Sequence, residues 1–324
     1  MKKKILIFGK GRIGTAVAWY LKKLKVSSEI VFFTKEKDLN YFDIFVSALP
    51  GDASLKAISL ALKYGKNLID ISDLETEEYL KREKQIKKKS ILLVPGAGFC
   101  PGLVNFILGK ELVKKGKNID VEVKVGTVSN KKNYFPFLWC FEDLIWQHDN
   151  PSLQLISGKK VKFLPFEGFK KETLFNIPCE TYFEDGGFEY LIKKFNIKNF
   201  TTKVIRPEGF MSFFLFLKSH GFFSKLEIER TKNNLERKKG DDITLGEIFI
   251  KLENKIKIWK LKVESKEGEK LNSMQKITAI FPAVLIKFID DIKETGLLFP
   301  EDLAKNEKLF NAISKEIKKE KILV

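Results

Sequence analysis

Cysteine is scarce in this chain: three residues in 324, an odd number and far too few for a disulfide scaffold. That points to a reducing compartment, and the length is ample for a core that needs no disulfide or metal staple. Histidine is scarcer still, with only His148 and His220, so no His and Cys cluster has zinc-ligand spacing and no metal is expected. Arginine occurs only at Arg12, Arg82, Arg206, Arg230 and Arg237, within a total of 59 basic residues. Long apolar runs are missing too. The run from Ile5 to Phe8, after three lysines, stops at Gly9, short of the roughly 7–15 residues of a secretory core. Phe210 to Leu217 falls short of the roughly 20 residues of a membrane helix. A soluble, cytoplasmic protein with no membrane partner is expected.

What is present is an ordinary globular mixture, 44% hydrophobic and 31% charged, which argues against disorder. At roughly 100–200 residues per domain, the length implies two domains or one large one. The net charge of +17 raises the question of a nucleic-acid or membrane partner. The cations, however, are almost all lysine, dispersed and mixed with acids. Surfaces that grip phosphates and read bases favour the planar fork of arginine. Solvated surface is the preferred reading, and no nucleic-acid partner is expected.

Along the chain, short apolar runs alternate with helical periodicity. Ile5 to Phe8 reads as a strand buried on both faces, and Ile30 to Phe33, Ile44 to Pro50 (ending in a loop), Asn67 to Ile71 and Ile91 to Val94 read as further strands. Thr15 to Leu24, Ser54 to Lys63, Glu75 to Lys89 and Leu103 to Val113 read as the helices between them. Such alternation predicts an α/β fold with a doubly wound parallel sheet. After about residue 118 the pattern changes. Val121 to Val125 alternates strictly, and Val161 to Leu164, Thr202 to Ile205 and Lys257 to Val263 are further strand-like runs. They predict an α+β domain with a mainly antiparallel sheet over 119–279. Pro282 to Leu298 and Leu303 to Lys319 read as helices, and 280–324 is expected to rejoin the 1–118 domain.

Gly9-x-Gly11-x-x-Gly14 directly follows the first strand and opens a helix. In that setting Gly9 makes the tight turn, Gly11 lets a pyrophosphate approach the backbone, and Gly14 allows close helix–strand packing. The helix start, with Arg12 and Ile13, offers free N–H groups and the positive end of its dipole. This is the Rossmann pattern, and it predicts NAD or NADP. At the end of the second strand an NAD site usually carries an acid for the ribose 2′-hydroxyl. Here Thr34 stands there, followed by Lys35 and Lys37, which favours NADP, although Glu36 is near enough to swing in. Ala48, Leu49 and Pro50 leave one strand, and Gly96 and Ala97 leave another, where the cofactor would pass.

These residues resemble the saccharopine dehydrogenase-like enzymes, in particular the branch with L-lysine 6-dehydrogenase. The resemblance rests on the glycine motif, Val46 to Pro50, Leu68 to Asp73 and Pro95 to Leu103. It continues through Tyr134 to Trp139, Ser157 to Lys159, Glu180 to Tyr190, Arg206 to Gly209 and Phe281 to Glu301. It implies a nucleotide domain, a substrate and dimerisation domain, a homodimer, and oxidation or reduction of a C–N bond in an amino acid or polyamine derivative. The pattern Arg-Tyr-Pro-Gly-His is here Arg206-Pro207-Glu208-Gly209-Phe210, losing the histidine and gaining an acid.

Hydride transfer at a C–N bond needs the carbon held against the nicotinamide and a group that manages the nitrogen's proton. Arg206 is the candidate for a substrate carboxylate, with an inter-domain ion pair as the alternative. Asp70 and Asp73, at a strand end, are candidates for base, orienter or helix cap. Tyr134 and Trp139 are candidates for pocket walls or aromatic core. His148 and His220 read as surface or packing residues. Cys100 precedes a helix start that would stabilise a thiolate, but a small unreactive thiol is the favoured reading. A nucleotide-binding or redox-sensing protein without turnover is the competing functional class.

Overall fold

The computed structural model describes residues 3–36, 38–113, 119–129, 131, 134, 136, 141–237 and 240–322. In chain order the elements begin with β1 (Lys3–Phe8), α1 (Arg12–Lys23), β2 (Ser27–Phe32), β3 (Ile44–Ser47), α2 (Leu55–Tyr64) and β4 (Asn67–Asp70). Then come α3 (Thr76–Leu80), α4 (Glu83–Lys88), β5 (Leu92–Val94), α5 (Leu103–Leu112), β6 (Ile119–Val128) and α6 (Phe141–Asp149). The strands β7 (Ser152–Ile156), β8 (Lys159–Phe163), β9 (Lys170–Leu174) and β10 (Ile177–Phe183) follow, with α7 (Glu189–Lys194) and β11 (Ile197–Pro207). The chain finishes with α8 (Phe210–Ser219), α9 (Ile228–Arg237), β12 (Asp242–Leu252), β13 (Lys255–Ser265), α10 (Ser273–Lys287), β14 (Gly296–Leu297), α11 (Pro300–Leu303) and α12 (Glu307–Lys319).

The chain divides into two compact units. The first comprises 1–115, 187–195 and 275–320, the second 116–186, 196–274 and 321–324. The first unit thus takes back its C-terminal part near residue 275. It also takes Gly187–Phe195, which the sequence places in the second domain. Ring stacking explains that placement: Tyr190 of α7 lies 3.8 Å from Phe299, nearly parallel to it, and Lys194 pairs with Asp302.

In the first unit a six-stranded sheet runs β14-β5-β4-β3-β1-β2, every pair parallel. Its strands are apolar on both faces because helices cover both. Leu6, Phe8, Phe45, Leu68 and Leu93 are buried in one cluster with Ala57, Ile58 and Ala61 of α2 and Ile86 of α4. The chain leaves β1 for β2 on one side and returns to β3 on the other. The crevice outside the carboxyl ends of β1 and β3 is therefore the switch point, where open α/β sheets bind ligands.

The second unit holds an eight-stranded sheet in the order β13-β12-β6-β11-β10-β9, with β7 paired to β11 and β8. Among the described residues only β6 and β11 pair in parallel and the other pairs are antiparallel, as expected.

Three elements depart from the sequence reading. The span Glu75 to Lys89 is two helices, because the amide of Arg82 turns to the carbonyl of Tyr79 while its guanidinium takes that of Glu78. Pro282 lies inside α10 rather than opening a helix, and α10 ends at Lys287. Gly296–Leu297, expected as helix, is the sixth parallel strand, paired with Leu92–Leu93. Among the described residues no helix is long and apolar enough to cross a membrane.

Candidate functional site

The turn after β1 is built by close backbone approach. Gly9 has φ +95°, and a Cβ there would sit 2.6 Å from the carbonyl oxygen of Ala48 at the end of β3. A Cβ on Gly14 would stand 2.0 Å from the carbonyl oxygen of Gly9, so only glycine lets α1 pack this close to the turn. Gly11, the residue before α1, is different: a Cβ there would meet nothing within 4 Å. Its missing side chain leaves room beside the free N–H groups of the helix start. No side chain caps α1 and no acid lies in its first turn. A pyrophosphate fits this cradle by both space and dipole sign. Arg12 is exposed, Ile13 half-buried, and the carbonyl of Arg12 accepts from Gln275 at 3.1 Å.

The other predicted cofactor residues fall at the same carboxyl edge. Ala48 and Leu49 are half-buried and Pro50 exposed, and the Ala48 amide donates to Phe8 at 2.8 Å. Ala97 is buried and donates to the carbonyl of Asp70 at 2.7 Å, beside Gly96. Thr34 and Lys35 are exposed two and three residues beyond β2. Glu36 is held by Lys63 and by the Tyr64 hydroxyl at 2.9 Å, and these bonds lower its pKa. Lys37 lies outside the described residues.

Asp70 and Asp73 separate into different roles. Asp70 is wholly buried and accepts from the Ser54 hydroxyl at 2.6 Å, the Tyr79 hydroxyl at 2.9 Å and the Ser72 amide at 3.0 Å. Burial raises its pKa and those bonds oppose the rise. Of the roles expected for Asp70, base, orienter or helix cap, these bonds fit the orienter, which fixes the loops after β3 and β4. Asp73 is exposed and accepts from the Gly51 amide at 2.7 Å, just beyond Pro50.

In the second unit, alternation along β10 puts Glu180, Tyr182 and, one step past the strand, Glu184 on one face. Arg206 of β11 stands opposite Glu180 in register. Arg206 is 2% exposed, yet it makes no ion pair among the described residues. One nitrogen reaches Gln147 at 3.5 Å, the guanidinium carbon lies 5.3 Å from the centre of the Phe210 ring, and Nε has no partner. Around it, burial pushes Glu184 up to about 8 against the pull of Arg206. Burial also raises the Tyr182 hydroxyl well above its ordinary range. His148 bonds Tyr182 at 2.5 Å and the Leu144 carbonyl at 2.6 Å, packed against Phe210 and Phe214. Burial and the Arg206 charge push it down to about 3, so it is neutral.

A buried guanidinium with no carboxylate within ion-pair distance among the described residues is costly, and an anionic ligand would offset that cost. The acid gained in this block, Glu208, points away to an exposed pairing with Lys171. Tyr134 is buried against Gly240, and burial raises its pKa; Trp139 lies outside the described residues. Burial raises the Cys100 thiol to about 12, so its thiolate is not populated. Among the described residues no three His, Cys, Asp or Glu side chains are placed to hold a metal ion. Sequence reasoning missed Tyr182 and Glu184 as partners of Arg206, although both lie in its Glu180 to Tyr190 block.

The chain matches no family model and no curated protein sequence. Its three-dimensional likeness is more informative. Apo saccharopine dehydrogenase (L-Glu forming) from Saccharomyces cerevisiae superposes over 99% of this chain and 98% of its own, with a TM-score of 0.75 at 15% identity. The fold is that of saccharopine dehydrogenase. The saccharopine dehydrogenase fold accounts for both sheets in one chain. A DAP dehydrogenase of C. glutamicum in complex with DAP matches 95% of each chain, but with a TM-score of 0.46 at 7% identity.

Proposed function

We propose that this chain is an NAD(P)-dependent oxidoreductase acting on the C–N bond of an amino acid or polyamine derivative. The observation that carries this reading is the open cradle at Gly11, at the switch point of a fold shared over its whole length with saccharopine dehydrogenase. When bound, the nicotinamide cofactor supplies the hydride chemistry. The chain's own residues do the rest. Gly9, Gly11 and Gly14, with the start of α1, hold the pyrophosphate. Arg206 binds a substrate carboxylate, which fits its burial and its unpartnered Nε. Asp73 is the exposed acid available for proton handling, with Asp70 fixing the loop that carries it. The protein acts as a homodimer, paired through the open face of the second sheet, where Ile256 and Ile258 of β13 are exposed.

The test is reduced-nicotinamide absorbance with NAD⁺ and NADP⁺, each against L-lysine, saccharopine and a carboxylated polyamine. Turnover of one of them, lost in Arg206→Met, is expected. One observation favours a binding protein without turnover: neither histidine is placed for acid–base work, His148 being buried and neutral and His220 stacked on Phe216. That reading predicts cofactor binding with no turnover of any amine.

A further inference from the structure

The end of β2 gathers more positive charge than its own sequence supplies. Phe33, one residue past the strand, stacks on Phe8 with ring centres 4.6 Å apart. Over its ring, 5.0 Å from the centre, stands the ammonium of Lys56, from the first turn of α2. Lys56 and Lys35 are both exposed, and neither has an ion-pair partner among the described residues. The acid nearest the end of β2, Glu36, is already engaged. Lys63 and Tyr64, at the other end of α2, hold its carboxylate. Lys56 and Lys63 are seven residues apart, two helical turns, and so share a face of α2 toward this strand end. An acid that would repel a phosphate is neutralised, while two cations and the Thr34 hydroxyl stay available.

Resting on the reading of the first unit as a dinucleotide domain, we infer that this corner is a 2′-phosphate site. Lys56 is its specificity-determining residue, and the Lys63–Tyr64 clamp on Glu36 makes the site selective. The preferred cofactor is then NADP(H). A 2′-phosphate adds roughly 1.5–2 negative charges. An exposed ammonium acts on it within a Debye length of about 8 Å at physiological salt. The 2′-hydroxyl of NAD would find Glu36 already engaged.

The experiment is calorimetric titration of the full chain with 2′,5′-ADP and with 5′-ADP, which share all but the 2′-phosphate. Wild type should bind 2′,5′-ADP about tenfold tighter or more. Lys56→Ala should bring the two affinities within about threefold by weakening 2′,5′-ADP alone, and Lys56→Arg should keep most of the preference. Lys63→Ala should release Glu36 and cut the preference, and adding Glu36→Gln should restore it. Unchanged 5′-ADP affinity in Lys56→Ala separates a lost phosphate contact from a damaged fold. Equal binding of both nucleotides by wild type overturns the inference and leaves the dinucleotide reading standing. A preference untouched by Lys56→Ala overturns the role of Lys56. Failure of wild type to bind either nucleotide overturns the dinucleotide reading and the inference with it.

Discussion

Gly11 and Gly14 stand three residues apart and are glycine for different reasons. At Gly14 a methyl group would collide with the Gly9 carbonyl, so Gly14→Ala forces the turn and helix apart. The expected cost is about 1–3 kcal/mol of stability, read from urea unfolding. At Gly11 a methyl group has room. Gly11→Ala should unfold at the wild-type midpoint yet lose about tenfold or more in nucleotide affinity, because the methyl fills the phosphate's place. Equal effects of the two substitutions on stability would contradict this division. A second residue-scale prediction concerns Glu301. Its carboxylate is buried in α11 with both oxygens unpartnered, and burial raises its pKa to about 7. The folded state holds this proton more tightly than the unfolded chain does. Stability should therefore fall as pH rises from about 4.5 towards 7 and then level off. Glu301→Gln removes that loss, so it should match wild type near pH 4.5 and exceed it at pH 8, by up to about 3 kcal/mol. Urea unfolding at the two pH values decides it; a constant difference would show that Glu301 ionises normally.

At the scale of elements, α8 offers the clearest test. Glu180 of β10 is buried, and its two oxygens accept from the amides of Gly209 at 2.7 Å and Met211 at 2.9 Å. A carboxylate delivered from a neighbouring strand thus caps a helix that has no capping side chain of its own. Glu180→Ala should cost about 1–2 kcal/mol by urea unfolding, and Glu180→Gln less, since an amide keeps an acceptor but not the charge. The elements also show what was legible beforehand. The first unit's strands read clearly, because burial on both faces leaves a short apolar run between charged or glycine borders. Helix ends and the two-residue β14 did not, since they depend on partners distant in sequence. The same holds for the site. Gly9 to Gly14 and Arg206 stand in local motifs. Glu184, Tyr182 and His148 became partners of Arg206 only through strand register and helix packing, and Lys56 reached Phe33 only through the fold of α2 against β2. The burial of Asp70 and its bonds to Ser54, Ser72 and Tyr79 are likewise invisible in a strand end that reads as polar.

At the scale of the whole molecule, many lysines are tied into pairs with nearby acids, such as Lys3 with Asp290 and Lys287 with Glu316. Exposed pairs of this kind add little stability each. The second sheet keeps one face open. Ile258, Phe249, Glu122 and Thr201 line up across four strands, with Lys260, Glu247, Lys124 and Lys203 in the next row. Lys124 and Lys203 bind Glu122, Glu172 and Glu247 there, a network whose lysines are mostly covered and whose acids are part-exposed. Pairing through this face predicts a dimer by light scattering that Ile258→Glu converts to monomer; a wild-type monomer at all concentrations would contradict it. The central claim is that the first unit binds a nicotinamide dinucleotide at the Gly11 cradle. Its most direct measurement is a fluorescence titration of NADPH with the full chain, wild type and Gly11→Ala side by side. Saturable binding by wild type, weakened about tenfold or more in a Gly11→Ala protein of unchanged stability, is the predicted result. Absence of binding in wild type, or equal binding by the two proteins, would contradict the claim.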